Sequence, residues 1–272
     1  TFQATERMAL EHELRRALES DQLQLYYQPK LALGSGQLVG AEALIRWKHP
    51  QFGAISPDRF IPLAEENGLI LPLGDWVLRE ACRQMSRWQD SHAAFGPLSV
   101  NLAGAQLRQP HLVERIRDLL ARYHLQASRL QLEITESFLM HQTEEALSIL
   151  HSLKNLGVQL AIDDFGTGYS SLSYLKQLPL DTLKIDQSFV HGLPDDPHDA
   201  AIARAIIALG RSMNLTVIAE GVEHQAQEHF LEAEGCDQIQ GYALSPPLPA
   251  DAFANRFLTP LNPVGATENA SV

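Results

Sequence analysis

Leu160-Ala161-Ile162-Asp163-Asp164-Phe165-Gly166-Thr167-Gly168-Tyr169-Ser170-Ser171-Leu172 places two adjacent carboxylates at a change of local structure. The apolar residues among Val158 to Ile162 read as a buried strand and the glycines and serines that follow as a loop. Asp163 and Asp164 are therefore expected at the strand's carboxyl end. Such rims are where barrel enzymes keep their chemistry. Two neighbouring carboxylates repel each other, and ionising both at one site is costly unless a cation neutralises them, which makes a divalent metal the natural partner. Taken alone the pair reads as an exposed acidic turn, because solvated charge is the ordinary state of Asp. The rest of the chain reverses that reading.

On either side of this stretch one pattern recurs: a short apolar strand ends in a polar residue and an amphipathic helix follows. Leu98-Ser99-Val100 ends in Asn101, Leu130-Gln131-Leu132 in Glu133, Thr182 to Ile185 in Asp186, and Val217-Ile218-Ala219 in Glu220, with Ile239 to Tyr242 as a final strand. Helices are expected over Leu112 to Tyr123, Glu144 to Leu156, Ala200 to Met213 and Gln225 to Ala233, the alternation of a parallel sheet. An open doubly wound sheet alternates in the same way. Polar residues at nearly every strand end converge only if those ends form a ring, so the expected fold is an α/β modified TIM-type (β/α)8 barrel. Its first element is an antiparallel hairpin, Leu23 to Pro29 returning as Leu38 to Trp47 around Gly34-Ser35-Gly36. Helical patterns follow over Asp58 to Asn67 and Asp75 to Trp88.

With 272 residues, the chain is close to the roughly 250 typical of one such barrel. Residues 1–20 carry an opening amphipathic helix, either part of the domain or a linker from an upstream one; the barrel is expected over 21–259 and a flexible tail over 260–272. No apolar segment approaches a bilayer span, no basic, apolar leader precedes the first strand, and the missing initiator methionine suggests a fragment or processed chain. A net charge of −12 argues against duplex nucleic acid but permits a small phosphorylated substrate if metal ions supply local positive charge. Cys82 and Cys236 read as small buried hydrophobes of a reducing compartment, with a single bridge between them as the alternative, the eleven histidines as scattered surface residues, and Trp47, Trp76 and Trp88 as core.

Glu42, Asn101, Glu133, Asp163, Asp164 and Glu220 supply hard oxygen ligands with no Cys or His beside them, a set that suits Mg²⁺ or Mn²⁺ better than zinc. They suffice for two ions bridged by Asp163, although any one of them alone reads as a helix cap or rim charge. Lys184 alternates against Leu183 and Ile185 and is expected to point into the barrel mouth, either orienting water or a phosphoryl oxygen or serving a structural ion pair. Gly166-Thr167-Gly168 lacks the lysine and spacing of a P-loop and reads as a loop over the site, with Ser170 and Ser171 capping the next helix.

Glu42-Ala43-Leu44 with Arg46 resembles the signature of the EAL-domain cyclic-di-GMP phosphodiesterases, and further blocks stand in order. They are Tyr27-Gln28-Pro29, Asn101-Leu102, Glu133-Ile134-Thr135-Glu136, Asp163 to Leu172, Lys184-Ile185-Asp186, Glu220-Gly221-Val222-Glu223 and Gln240-Gly241-Tyr242. The resemblance implies hydrolysis of cyclic di-GMP to the linear dinucleotide pGpG in bacterial signalling, with two Mg²⁺ or Mn²⁺ ions. It implies that Glu42, Asn101, Glu133 and Asp163 hold one ion and Asp163 with Asp164 the second. Glu220 would stand beside that second ion as ligand or water-positioning group. Lys184, Glu220 and Glu42 form the implied catalytic set, while Gln28, Leu44, Arg46, Asp186, Glu223 and Gln240 line the substrate groove. Glu136 would anchor the Asp163-to-Leu172 loop near a dimer contact, making a homodimer the expected assembly. The family also commonly joins this domain to a regulatory or diguanylate cyclase domain. A cytoplasmic site of action is implied, with or without a membrane anchor elsewhere in the full-length protein. Two other readings remain at this stage, a cyclic-di-GMP-binding sensor without turnover and an enolase-type barrel; the latter leaves Asp164, Arg46 and Gln240 without a role.

Overall fold

A computed structural model describes residues 2–91, 96–139, 144–168 and 172–258. Tyr169, Ser170, Ser171 and the tail 260–272, including the expected caps, lie outside the described residues. The strands are β1 Leu23–Ala32, β2 Leu38–His49, β3 Gly53–Ile55, β4 Leu98–Asn101, β5 Leu130–Thr135, β6 Gln159–Phe165, β7 Thr182–Ile185, β8 Thr216–Ala219, β9 Gln238–Ile239 and β10 Leu248–Pro249. Eight of them close a ring in the order β1-β9-β8-β7-β6-β5-β4-β2, and the β1–β2 pairing completes it, while β3 and β10 flank β2 and β1. β1 runs antiparallel to both ring neighbours, and the successive pairs from β2 through β9 are parallel. The expected barrel and its antiparallel opening are present.

Pro29 sits inside β1, where its missing N–H ought to break a ladder. Its partner Ala41 donates its own N–H to the carbonyl of Pro97, so this pair is a non-hydrogen-bonded one and the Pro29 nitrogen faces away from β2. On that other side β1 pairs with β10 at Tyr26 and Tyr27 and with β9 at Leu31 and Ala32. Proline falls in the interval between them, and the strand continues through Lys30.

Several strand ends differ from expectation. β5 runs on through Thr135 and β6 through Phe165, so Glu133 and Asp163 lie within their strands. The last ring strand is only two residues long, because the chain turns at Gly241, where a Cβ would lie 2.2 Å from the Val222 carbonyl oxygen. Helices Leu112–Arg122, Glu144–Leu156, Pro197–Ser212 and Gln225–Glu234 follow the expected segments closely, Ile70–Ser91 extends the expected Asp75 to Trp88 at both ends, and their apolar faces cover the outer side of the ring. A second core joins the opening helix Phe2–Leu18 to the domain, with Leu14 and Ala17 buried among Trp47, Phe60 and Leu73. His49 corrects the surface expectation for histidines. It is buried, with Nε2 3.1 Å from Glu13 Oε2 and Nδ1 accepting from the N–H groups of Gln51 and Phe52. Cys82 and Cys236 are both free and buried.

Candidate active site

A strand turns successive side chains to opposite faces, so Asp163 and Asp164 in regular β structure could not share a site. The ladder between β6 and β7 shifts register between Ile162 and Phe165, and Asp164 adopts φ +54°. This bulge re-aims the second carboxylate. Carboxylate oxygens of Asp163, Asp164 and Glu220 consequently lie within 4.8 Å of one another.

Period two along the neighbouring strands brings the other residues inward. Glu42 of β2 stands opposite Gln28 of β1, and Asn101 of β4 is paired with Glu133 of β5. Asn101 Nδ2 donates to Glu42 Oε1 at 2.7 Å, which leaves the Asn101 carbonyl oxygen free of that bond. Gln240 Nε2 donates to Glu42 Oε2 at 2.7 Å and to Gln28 Oε1 at 3.0 Å, while Gln28 Nε2 donates to the Ser245 carbonyl. Gln240 Oε1 is buried with no hydrogen-bond partner among the described residues, an acceptor open to a donor.

Lys184 is the hub. Its fully buried ammonium contacts Glu133 Oε2 and lies 2.6 Å from Glu220, 3.2 Å from Asp163 and 3.5 Å from Glu42. Below it a second lysine, Lys30, donates to Glu133 Oε1 and Ser99 Oγ, each at 2.6 Å. Sequence reasoning missed Lys30. The alternation that turns Gln28 inward predicts it, but Pro29 reads as the strand's end.

Five carboxylates therefore meet two ammoniums. Burial pushes the Glu133 carboxyl up, yet Lys184 and Lys30 outweigh it and hold the group at about 2. At Glu42 burial and the Glu133 charge prevail over both lysines and raise the carboxyl; burial raises Glu220 well above the ordinary range despite Lys184. Asp164 is pushed up to about 6 by burial, Asp163 and Asp186. Burial works against the Lys184 proton, but Asp163, Glu133, Glu220 and Glu42 hold it firmly. The cluster carries more acidic groups than its own cations neutralise, and its donors are hard oxygens, so the residues present fit divalent Mg²⁺ or Mn²⁺.

Beside the cluster, between β2 and the helices Pro57–Asn67 and Ile70–Ser91, opens a cleft of about 480 Å³. Arg46, Asn101, Glu133 and Asp164 line its polar side, and Leu44, Ile61, Leu73 and Val77 its apolar side. The Arg46 guanidinium lies 5.7 Å from the Tyr26 ring centre, with Nη1 donating to the Ile45 carbonyl. Asp186 caps the turn after β7 by accepting from Ser188 N at 2.9 Å. Glu223 lies exposed on the loop after β8, its backbone N–H donating to Gln227 Oε1. Glu136 is fully buried beneath the Asp163 loop, and its Oε2 accepts from Gly166 N at 2.8 Å and Gly168 N at 3.2 Å.

Residues 11–247 match the family model described as the EAL domain. Over 248 residues, 91% of this chain, the sequence is 51% identical to the bifunctional diguanylate cyclase/cyclic di-GMP phosphodiesterase MucR of Pseudomonas aeruginosa. It is 47% identical over 250 residues, 92% of the chain, to the cyclic di-GMP phosphodiesterase NbdA of the same organism. The chain spans about a third of the length of these curated relatives, 36% and 32%. Among solved structures it is similar to the PaMucR phosphodiesterase in a c-di-GMP complex, with TM-score 0.87 and 51% identity over 90% of this chain and 99% of that one. The EAL enzyme Bd1971 in its cAMP- and cyclic-di-GMP-bound form aligns with TM-score 0.89 and 34% identity, over 94% of this chain and 70% of its own.

Proposed function

This chain belongs to the EAL-domain family, and on that premise we propose that it hydrolyses one phosphodiester bond of cyclic di-GMP to give pGpG. The observation that carries the reading is the bulge at Asp164, which brings Asp163, Asp164 and Glu220 together beside the Lys184 hub. Glu42, Asn101, Glu133 and Asp163 would hold one divalent ion, and Asp163 with Asp164 the second, with Glu220 beside it as ligand or water-positioning group; Mg²⁺ or Mn²⁺ would suit these hard oxygens. When bound, such ions lower the pKa of a water and offset charge on a phosphoryl group.

The chain's own residues do the rest. Lys184, held charged by its carboxylates, stands where it can donate to the attacking water or to a phosphoryl oxygen. Arg46 at the cleft wall offers a planar fork to a phosphate, and Leu44 with the apolar wall receives a base. The unpartnered Gln240 Oε1 accepts a hydrogen bond from the substrate, while Gln28, Asp186 and Glu223 complete the groove. Glu136 fixes the loop through two backbone N–H groups. We take 21–259 as the catalytic unit, paired as a homodimer, acting in the cytoplasm and joined to further domains in a longer protein, as the greater length of its relatives supports.

The test is incubation of the purified chain with cyclic di-GMP in Mg²⁺, Mn²⁺, Ca²⁺ or EDTA, followed by chromatography. Linear product with Mg²⁺ or Mn²⁺ and none in EDTA is the expected result. Intact substrate in every condition refutes the hydrolase; tight nucleotide binding without turnover then identifies a sensor.

A further inference from the structure

Lys30 extends from β1 into the barrel floor, where its ammonium has three donors and three acceptors: Ser99 Oγ at 2.6 Å, Glu133 Oε1 at 2.6 Å and Gln131 Oε1 at 3.4 Å. Ser99 and Gln131 are themselves paired in the ladder, two residues below Asn101 and Glu133. Ser99 Oγ also donates to Gln131 Oε1 at 2.7 Å, and Gln131 Nε2 donates to Thr182 Oγ1 at 3.0 Å. The floor is thus a polar cradle across β1, β4, β5 and β7, with Gln131 Nε2 also 3.5 Å from Gln159 Oε1 of β6. Among the described residues Glu133 alone connects it to the site above: Oε1 goes down to Lys30 and Oε2 up to Lys184, which also contacts Glu42, Asp163 and Glu220.

Barrel floors are ordinarily filled by branched aliphatic side chains, and a buried ion pair seldom stabilises more than the apolar packing that could replace it. The floor pair therefore calls for a role other than stability. We propose that Lys30 is a positioning residue for the reaction: it pins Glu133 Oε1 to the barrel floor, so that Oε2 is the oxygen presented to the metal and substrate at the mouth. Without Lys30 the carboxylate can rotate about its terminal torsion, which is intrinsically soft. The site then loses the preorganisation that supporting residues give metal ligands. This inference rests on the metal-dependent reading above.

The experiment is calorimetric titration of MnCl2 into the full chain, without nucleotide, for the wild type, Lys30→Met, Glu133→Gln and the double variant. Lys30→Met is expected to weaken Mn²⁺ binding about tenfold, in line with the loss of a group that orients a metal ligand. In the Glu133→Gln background it is expected to add little, because Lys30 acts through Glu133. At saturating Mn²⁺ the loss of kcat is expected to shrink while KM for cyclic di-GMP stays put. Unchanged or tighter Mn²⁺ binding in Lys30→Met, or an undiminished loss in the double variant, overturns the proposal. Should Lys30→Met fail to fold, Ser99→Ala decides: it removes one of the acceptors that hold Lys30 against Glu133 Oε1, and a smaller loss of affinity supports the role whereas none refutes it. A wild-type chain that binds Mn²⁺ while Lys30→Met is unaffected leaves the hydrolase reading standing and removes only this inference. A wild type that takes up no Mn²⁺ overturns both.

Discussion

On β5, Leu130, Leu132 and Ile134 face the surrounding helices while Gln131 and Glu133 face the barrel axis; on β7, Leu183 and Ile185 face outward and Thr182 and Lys184 inward. All of these residues are buried, so water does not distinguish the two faces. The outer face is continuous hydrocarbon, and each fully buried Leu or Ile there contributes about 1.5–3 kcal/mol. The inner face is a chain of hydrogen bonds and ion pairs from Lys30 to Gln240, whose desolvation consumes much of what its contacts return. A dry interior thus holds two layers with opposite duties, one making the barrel and one facing a ligand.

That contrast sets what substitutions should do. The largest effect is expected at Asp163, the inner carboxylate that the proposed scheme shares between two ions: Asp163→Asn should cut hydrolysis of cyclic di-GMP by about a hundredfold or more, as removal of a preorganised charged group does. Its melting temperature in EDTA should hold or rise, since one of five crowded carboxylates is gone. Parallel turnover and unfolding assays check both halves. On the outer face the pattern inverts. Leu160→Ala, at a fully buried position, should cost about 2–5 kcal/mol in urea unfolding, with kcat little changed in the folded fraction. A large kcat loss without instability would erase the division between the faces.

Between these extremes lies Glu136, buried but turned to the loop. Glu136→Gln keeps an oxygen acceptor and loses the charge, so the two bonds to Gly166 and Gly168 should weaken by about 1–2 kcal/mol, read as faster amide exchange there. The smallest effect concerns the thiols. Burial pushes Cys82 and Cys236 up to about 12, so neither should react with iodoacetamide at pH 8 until the barrel unfolds. Fast labelling of the native chain would show that the outer layer opens.

The strand-helix alternation, the antiparallel opening and the acidic set were legible because period two and the strand ends are local signals. Three features were not. The bulge at Asp164 depends on β7 pairing at a shifted register, and Asp-Asp alone does not announce it. Lys30 was hidden by Pro29, which is tolerated only because β1 changes partner there. His49 is buried by Glu13 and β3, contacts remote in sequence or too short to read. In each case tertiary pairing overrode a sound local rule. Lys184 was expected at the mouth on period alone, but its four carboxylate contacts come from four other strands or strand ends.

The most direct test of the two-faced barrel is a calorimetric titration of MnCl2 into the wild type and Asp163→Asn, with melting temperatures taken at each end point. The account predicts two Mn²⁺ per wild-type chain with a raised melting temperature, and in the variant, at most one weakly held ion and no rise. A wild type that takes up no Mn²⁺, or an Asp163→Asn chain that binds two ions as tightly, would contradict it.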